Sequence, residues 1–296
     1  MEQTENIQSA RLSDAWAAIH AHAEAGLPLE PSAHRLAFAD PEFLLRRETR
    51  GIRLQLEMLK PDLVQQAMGI ENTVVVYGSA RFICEADAQA ALSQAKANGN
   101  AKEIAHAERL VRNAYYYEQA RQFGRIVAER SRCCLPGDQL VVCTGGGPGI
   151  MEAANRGAAE AGAPTVGLNI ALPHEQGANP WVTPELSFKF HYFAMRKMHF
   201  MMRAKALVVF PGGFGTLDEL FEVITLVQCG KAKPVPIILF GSTYWHRLFN
   251  FEMLVEEGTV SADDLNLITY ADDPEAIWEC IQQFYGLKLQ PHPTNL

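Results

Sequence analysis

Read as a pattern of apolar and polar positions, the chain divides into zones of different period. Up to about residue 70 the spacing is helical. An Ala-rich stretch covers 12–25, Pro28 and Pro31 bound a connection, and a second stretch runs over 41–68. Pro41 sits where a first helical turn tolerates proline, and Leu44, Leu45, Ile52, Leu54, Leu56 and Leu59 mark an apolar face. From residue 73 onward, short continuous runs of Val, Ile and Leu alternate with helical stretches. Strands are predicted over 73–77, 139–144, 165–170, 206–210 and 235–240. Helices are predicted over 85–132 with a break near Asn98-Gly99-Asn100, and over 149–161, 216–229, 244–257 and 274–285. Strands that are apolar throughout belong to a parallel sheet buried on both faces, and right-handed crossovers place helices on each side. The expected fold class is α/β: a doubly wound Rossmann-like parallel sheet over 71–296, preceded by a helical N-terminal extension over 1–70.

Composition narrows the partners. Against 34 Asp+Glu stand 26 Lys+Arg, a net charge of −8, with no basic block. That balance argues against gripping the phosphate backbone of a nucleic acid. No apolar run approaches the ~18–20 residues of a membrane helix, and MEQTENIQSARLSDAW lacks the basic start and apolar stretch of a signal peptide. A cytoplasmic protein with no membrane partner is expected. Cys84, Cys133, Cys134, Cys143, Cys229 and Cys280 form no C-x-x-C pair and no metal-ligand spacing, so reduced thiols and no metal are expected.

Chemistry gathers at three strand ends, where open α/β sheets hold their ligands. They are Tyr77-Gly78-Ser79-Ala80-Arg81, Thr144-Gly145-Gly146-Gly147-Pro148-Gly149, and Phe210-Pro211-Gly212-Gly213-Phe214-Gly215-Thr216. Glycines let the backbone come close to a ligand, and a helix start behind them offers free N–H groups and a positive dipole end. Two such turns in one sheet suit a phosphate-bearing ligand. The dinucleotide pattern G-x-G-x-x-G fails at Ile150, and G-x-x-x-x-G-K-[ST] is absent.

Two readings stay open for the polar residues nearby. Thr216-Leu-Asp-Glu219 has the spacing of a capping box, Thr at the cap and Glu three residues on. Glu219 can also be a catalytic carboxylate. Arg196-Lys197 lie on a helical segment whose Met195, Met198, Met201 and Met202 read as core, and the two cations read either as a solvated face or as ligand contacts.

PGGFGTLDE, the upstream Arg196-Lys197 and GGGPGIMEAANRGA together resemble the LONELY GUY family of cytokinin riboside 5′-monophosphate phosphoribohydrolases, often labelled lysine decarboxylases. The PGGxGTxxE pattern falls on Pro211, Gly212, Gly213, Gly215, Thr216 and Glu219, and the likeness runs over 73–241. His174-Glu175-Gln176 and Asn179-Pro180-Trp181 are similar to the longer bacterial branch. The resemblance implies catalytic roles for Arg196 and Glu219. It implies substrate contacts at Arg196, Lys197, Gly212, Gly213, Gly215, Thr216, Asp218 and Thr225, with Glu175 as the Glu of the preceding loop. Ser79, Gly146 and Gly147 are expected to line the same pocket. Phe193-Ala194-Met195 replaces the Met-His-Glu of short members, and the N-terminal residues and the insertion between the first two strands are extra; these differences bear on base selectivity.

The implied reaction is hydrolysis of the N-glycosidic bond of a nucleoside 5′-monophosphate, AMP or a cytokinin ribotide, giving free base and ribose 5-phosphate without cofactor or metal. Arg196 is expected to orient Glu219 and hold it ionised. A homo-oligomer is also implied. The competing readings are a non-catalytic protein of the same fold that binds a nucleotide or phosphorylated cofactor, and a nucleotide-responsive regulator. A pure carrier has no need of the Arg196 and Glu219 pair, which favours the enzyme.

Overall fold

The computed structural model describes residues 31–172 and 177–288, together with positions 17, 21 and 24–26. The predicted helix over 12–25 falls almost wholly outside the described residues. Two compact units meet at Leu59/Lys60.

In the first unit, 3-10 turns at Ser32–His34 and Ala37–Ala39 lead into helix α1 (Pro41–Leu44). Asp40 caps α1 by accepting from the Glu42 N–H, and its buried carboxylate also accepts from Ser32 Oγ and Arg35 Nη1. The expected 41–68 helix is interrupted after Leu44, and α2 (Arg50–Ala67) restarts beyond it and runs on past Leu59. Of the apolar face expected there, Leu45, Ile52, Leu56 and Leu59 are exposed in the single chain.

The second unit is a seven-stranded sheet. Its strands are β1 (Thr73–Tyr77), β2 (Val141–Thr144), β3 (Thr165–Ile170), β4 (Ser187–Phe190), β5 (Ala204–Val209), β6 (Ile237–Phe240) and β7 (Ile268–Ala271). Their order is β4-β3-β2-β1-β5-β6-β7 and every pairing is parallel. Alternate residues of β1 supply opposite cores: Val74 and Val76 join Phe123, Phe210 and Trp278, whereas Val75 and Tyr77 join Phe200, Leu220 and Trp245. Burial on both faces is why this strand is apolar at successive positions.

One face carries α4 (Ala101–Ser131), α5 (Ile150–Glu160) and α10 (Pro274–Tyr285); the other carries α6 (Phe193–Met202), α7 (Phe214–Gln228) and α8 (Ser242–Leu248). Helix α3 (Glu85–Asn98) ends at Gly99, so the break expected near 98–100 is present. Helix α4 packs on α5 through glycine: a Cβ on Gly124 would strike the Ala154 carbonyl oxygen, and one on Gly157 the Arg121 carbonyl oxygen. A helix expected over 244–257 is instead two, α8 and α9 (Phe251–Glu256), with Phe249 and Asn250 extended between them. Of the four methionines read as core, Met195 and Met201 pack under the sheet, while Met198 and Met202 are exposed because their spacing carries them round the helix. All six cysteines are free thiols. Among the described residues no helix is long and apolar enough to cross a membrane.

Candidate active site at the switch in strand order

The sheet order reverses between β1 and β5, so the connections leaving these neighbours run to opposite sides and part above their carboxyl ends. The two turns stay stitched at their base. Phe210 N–H donates to the Tyr77 carbonyl at 2.8 Å, and Ser79 N–H to that of Pro211 at 3.0 Å. Above them opens a cleft of about 700 Å³, lined by Tyr77, Ser79, Arg196, Gly212–Thr216 and Asp218-Glu219 among others. That volume is within the usual ~300–1,000 Å³ of small-molecule sites.

One wall is the start of α7. The helix begins at Phe214 with Gly213 as its N-cap, and no side chain caps it. The predicted capping box is therefore absent: with the helix beginning ahead of Thr216, Glu219 lies in its second turn, out of reach of the cap. The first-turn N–H groups are left without a side-chain acceptor at the cleft wall, an arrangement that suits an anion. Gly212 has no room for a side chain, because a Cβ there would meet the Thr216 side chain. The Tyr244 hydroxyl donates to the Gly212 carbonyl at 2.9 Å and fixes the turn from the far side.

The opposite wall is α6. Arg196 Nε donates to the Leu168 carbonyl at 2.7 Å, its guanidinium lies 5.1 Å from the Phe200 ring centre, and its Nη1 stands 3.9 Å from Glu219 Oε1. The two side chains are only 12% and 8% exposed, so the pair is almost dry. At 3.9 Å the contact is an ion-pair distance without a hydrogen bond. Burial raises the Glu219 carboxyl, and the opposing pull of Arg196 and Lys197 is the smaller effect; the group is pushed up to about 7. The expectation that Arg196 holds Glu219 ionised meets a counter-effect: desolvation outweighs a cation held at this distance.

Lys197 turns the other way. Its Nζ is 2.8 Å from Asp218 and 2.9 Å from Glu222, in a neighbouring hollow shared with Phe214 and Thr225. Thr225 Oγ1 donates to the Phe221 carbonyl, so Thr225 and Lys197 are outside the cleft that holds Arg196 and Glu219. Asp218 borders both. Gly146 and Gly147 also lie outside the cleft: their carbonyls accept from Asn179 N–H and Nδ2, which ties that turn to its own loop. Gly145 underlies the Arg196 guanidinium. Glu175 lies outside the described residues.

Three aromatics of the cleft lining were given no role from the sequence, Tyr77, Phe214 and Tyr244; Phe193, from the triplet that departs from short members, lines the cleft with them. Phe214 carried a signal, an apolar residue between two glycines at a helix start, and it is 92% exposed.

The family model described as "Possible lysine decarboxylase" matches residues 151–281, which include Arg196 and Glu219. The chain is 30% identical over 146 residues to the "Probable cytokinin riboside 5'-monophosphate phosphoribohydrolase LOG4" of Oryza sativa subsp. japonica, covering 46% of this chain and 62% of that protein. It is 29% identical over 163 residues to the "Cytokinin riboside 5'-monophosphate phosphoribohydrolase LOG" of the same plant, covering 54% and 63%. The chain thus spans about three fifths of the length of these relatives. Among solved structures, the molybdenum cofactor binding protein of Rippkaea orientalis aligns with TM-score 0.44 and 18% identity over 72% of this chain and 95% of that one, a distance that adds nothing to the reading of the site. Residues 151–281 carry the possible lysine decarboxylase pattern, and around them the chain is similar to cytokinin riboside 5'-monophosphate phosphoribohydrolases.

Proposed function

We propose that the protein hydrolyses the N-glycosidic bond of a nucleoside 5′-monophosphate, AMP or a cytokinin ribotide, to free base and ribose 5-phosphate. The observation that carries this reading is the almost buried Glu219 carboxylate of α7, held beside Arg196 of α6 and facing the cleft that the uncapped start of the same α7 also lines. The 5′-phosphate would rest on the N–H groups at the head of α7, with Thr216 and Ser79 beside it. Anchored there, a remote group contributes binding energy to positioning the ribose.

Breaking the bond places positive charge on the sugar, as in glycoside hydrolysis. Ionised Glu219 stabilises that charge and takes a proton from the attacking water as the water oxygen bonds to C1′. The C1′–N electron pair leaves with the base, which then gains a proton. A carboxyl poised near neutrality is matched to that exchange. Simple carriage of a phosphorylated ligand gives no reason to hold such a group at the cleft. Exposed Leu56 and Leu59 support a homo-oligomer, in which they would be covered.

The test is incubation of the purified protein with AMP, GMP, CMP, UMP and a cytokinin ribotide, with chromatography for free base. Base release from at least one is expected, rising with pH through about 7 as Glu219 ionises. Glu219→Gln should cut the rate ~100-fold or more. Binding of these nucleotides with no release from any would favour the carrier.

A further inference from the structure

Tyr77 closes β1 and reaches into the base of the cleft. It is 4% exposed, and among the described residues its hydroxyl is buried with no hydrogen-bond partner. A buried hydroxyl left without an acceptor is costly, and a phenylalanine of the same shape would avoid that cost. Its ring is held edge-on against Phe200, 4.9 Å between centres, the same ring that carries the Arg196 guanidinium. Tyrosine, arginine and glutamate thus converge on one spot.

The groups around that spot have mostly been committed. Lys197 on α6 is held by Asp218 and Glu222 of α7, and Arg196 spends its Nε on the Leu168 carbonyl. Cys143 on β2 is a buried thiol whose proton is held firmly by desolvation. Of the charges acting on the Tyr77 hydroxyl, Glu219 is the strongest, and it opposes ionisation of the phenol, so the O–H proton stays available to give. A nearly dry carboxylate needs a donor when it charges.

We propose that the Tyr77 hydroxyl is the donor that receives the Glu219 carboxylate once it ionises, which makes Tyr77 a positioning residue of this site. Its part in turnover rests on the nucleotide-hydrolysing reading above; its grip on Glu219 does not. A donor to the charged form favours that form, so removing the hydroxyl raises the pH at which Glu219 ionises. Arg196 and Lys197 continue to pull it down, and Asp218 and Glu222 to push it up, in both variants.

The experiment compares the wild-type chain with Tyr77→Phe. Carbon-13 carboxyl titration by NMR follows Glu219, its resonance recognised by its loss in Glu219→Gln. In Tyr77→Phe the Glu219 midpoint should rise by about one pH unit, the tenfold expected of a weak charge-assisted hydrogen bond. The acid limb of the base-release profile should move with it, so the loss of rate at pH 7 largely recovers at pH 9. Denaturation at pH 5, where Glu219 is protonated, should find Tyr77→Phe no less stable. A midpoint that stays within a few tenths of a unit overturns the proposal, whatever the activity.

A second reading changes nothing at position 77. In the wild-type chain the Tyr77 ring carbon bearing the hydroxyl should shift with the Glu219 midpoint, and that step should vanish in Glu219→Gln; a ring carbon that ignores Glu219 also overturns the proposal. Absence of base release from any nucleotide, with the midpoint shifted, would remove the hydrolase reading and leave the Tyr77 contact standing.

Discussion

A carboxyl that ionises near pH 7 instead of 4.5 is an energetic burden as well as a catalytic opportunity. The folded chain holds this proton more tightly than the unfolded chain does. Its contribution to stability is therefore complete below 4.5 and is lost as pH rises to about 7. With the side chain only 8% exposed, screening by water is slight, and the loss is on the order of 3 kcal/mol. Glu219→Gln removes the ionisation and keeps the shape. Urea denaturation should find this variant more stable than wild type at pH 8 by roughly 2–3 kcal/mol, relative to their difference at pH 4.5. A difference that is the same at both pH values would mean that Glu219 ionises normally. Not all of this residue's setting was legible in the sequence. The PGGxGTxxE motif marks Glu219, and the spacing equally offered a cap. What excluded the cap was the start of α7 at Phe214, which sets Glu219 in the second turn against α6, a fact of packing outside the local spacing.

Among the elements, the interior strands were readable because each is apolar on both faces. The two edges were not: β4 reads Ser-Phe-Lys-Phe and β7 Ile-Thr-Tyr-Ala, each with one exposed residue and without a continuous Val/Ile run. Edge strands lack a neighbour on one side and tolerate polar residues that disguise them. The α4–α5 contact was illegible for another reason, since glycine inside a helix normally signals weakness. On propensity alone Gly157→Ala would gain ~1 kcal/mol. The Arg121 carbonyl occupies that space, and overpacking of this kind costs ~1–3 kcal/mol. Gly157→Ala should therefore lower the melting temperature. Gly51→Ala in α2, where nothing lies within 4 Å, should raise it slightly. Equal shifts in the two variants would show that the α4–α5 crossing relaxes without cost.

At the scale of the molecule, the −8 charge and an anion site coexist because the proposed phosphate seat is built from backbone N–H groups and does not draw on net charge. The homo-oligomer proposed above has its own test. Light scattering should give a mass above that of one chain, and Leu56→Glu with Leu59→Glu should lower it. An unchanged mass would mean that these side chains are not at the interface. One hydrogen bond described earlier reaches further than its 3.0 Å. Ser79 N–H and the Pro211 carbonyl are separated by about 130 residues of chain, and they pair only when β5 settles beside β1. Closing so long a loop carries an entropy cost that grows slowly with length but must be met before the contact returns anything. Helices α3 to α5 can assemble on β1 and β2 from nearer neighbours, whereas the base of the cleft forms only when the turns after β1 and β5 come together. The base of the cleft is thus complete only once β1 and β5 have met, and a ligand held above it would report a chain in which they have.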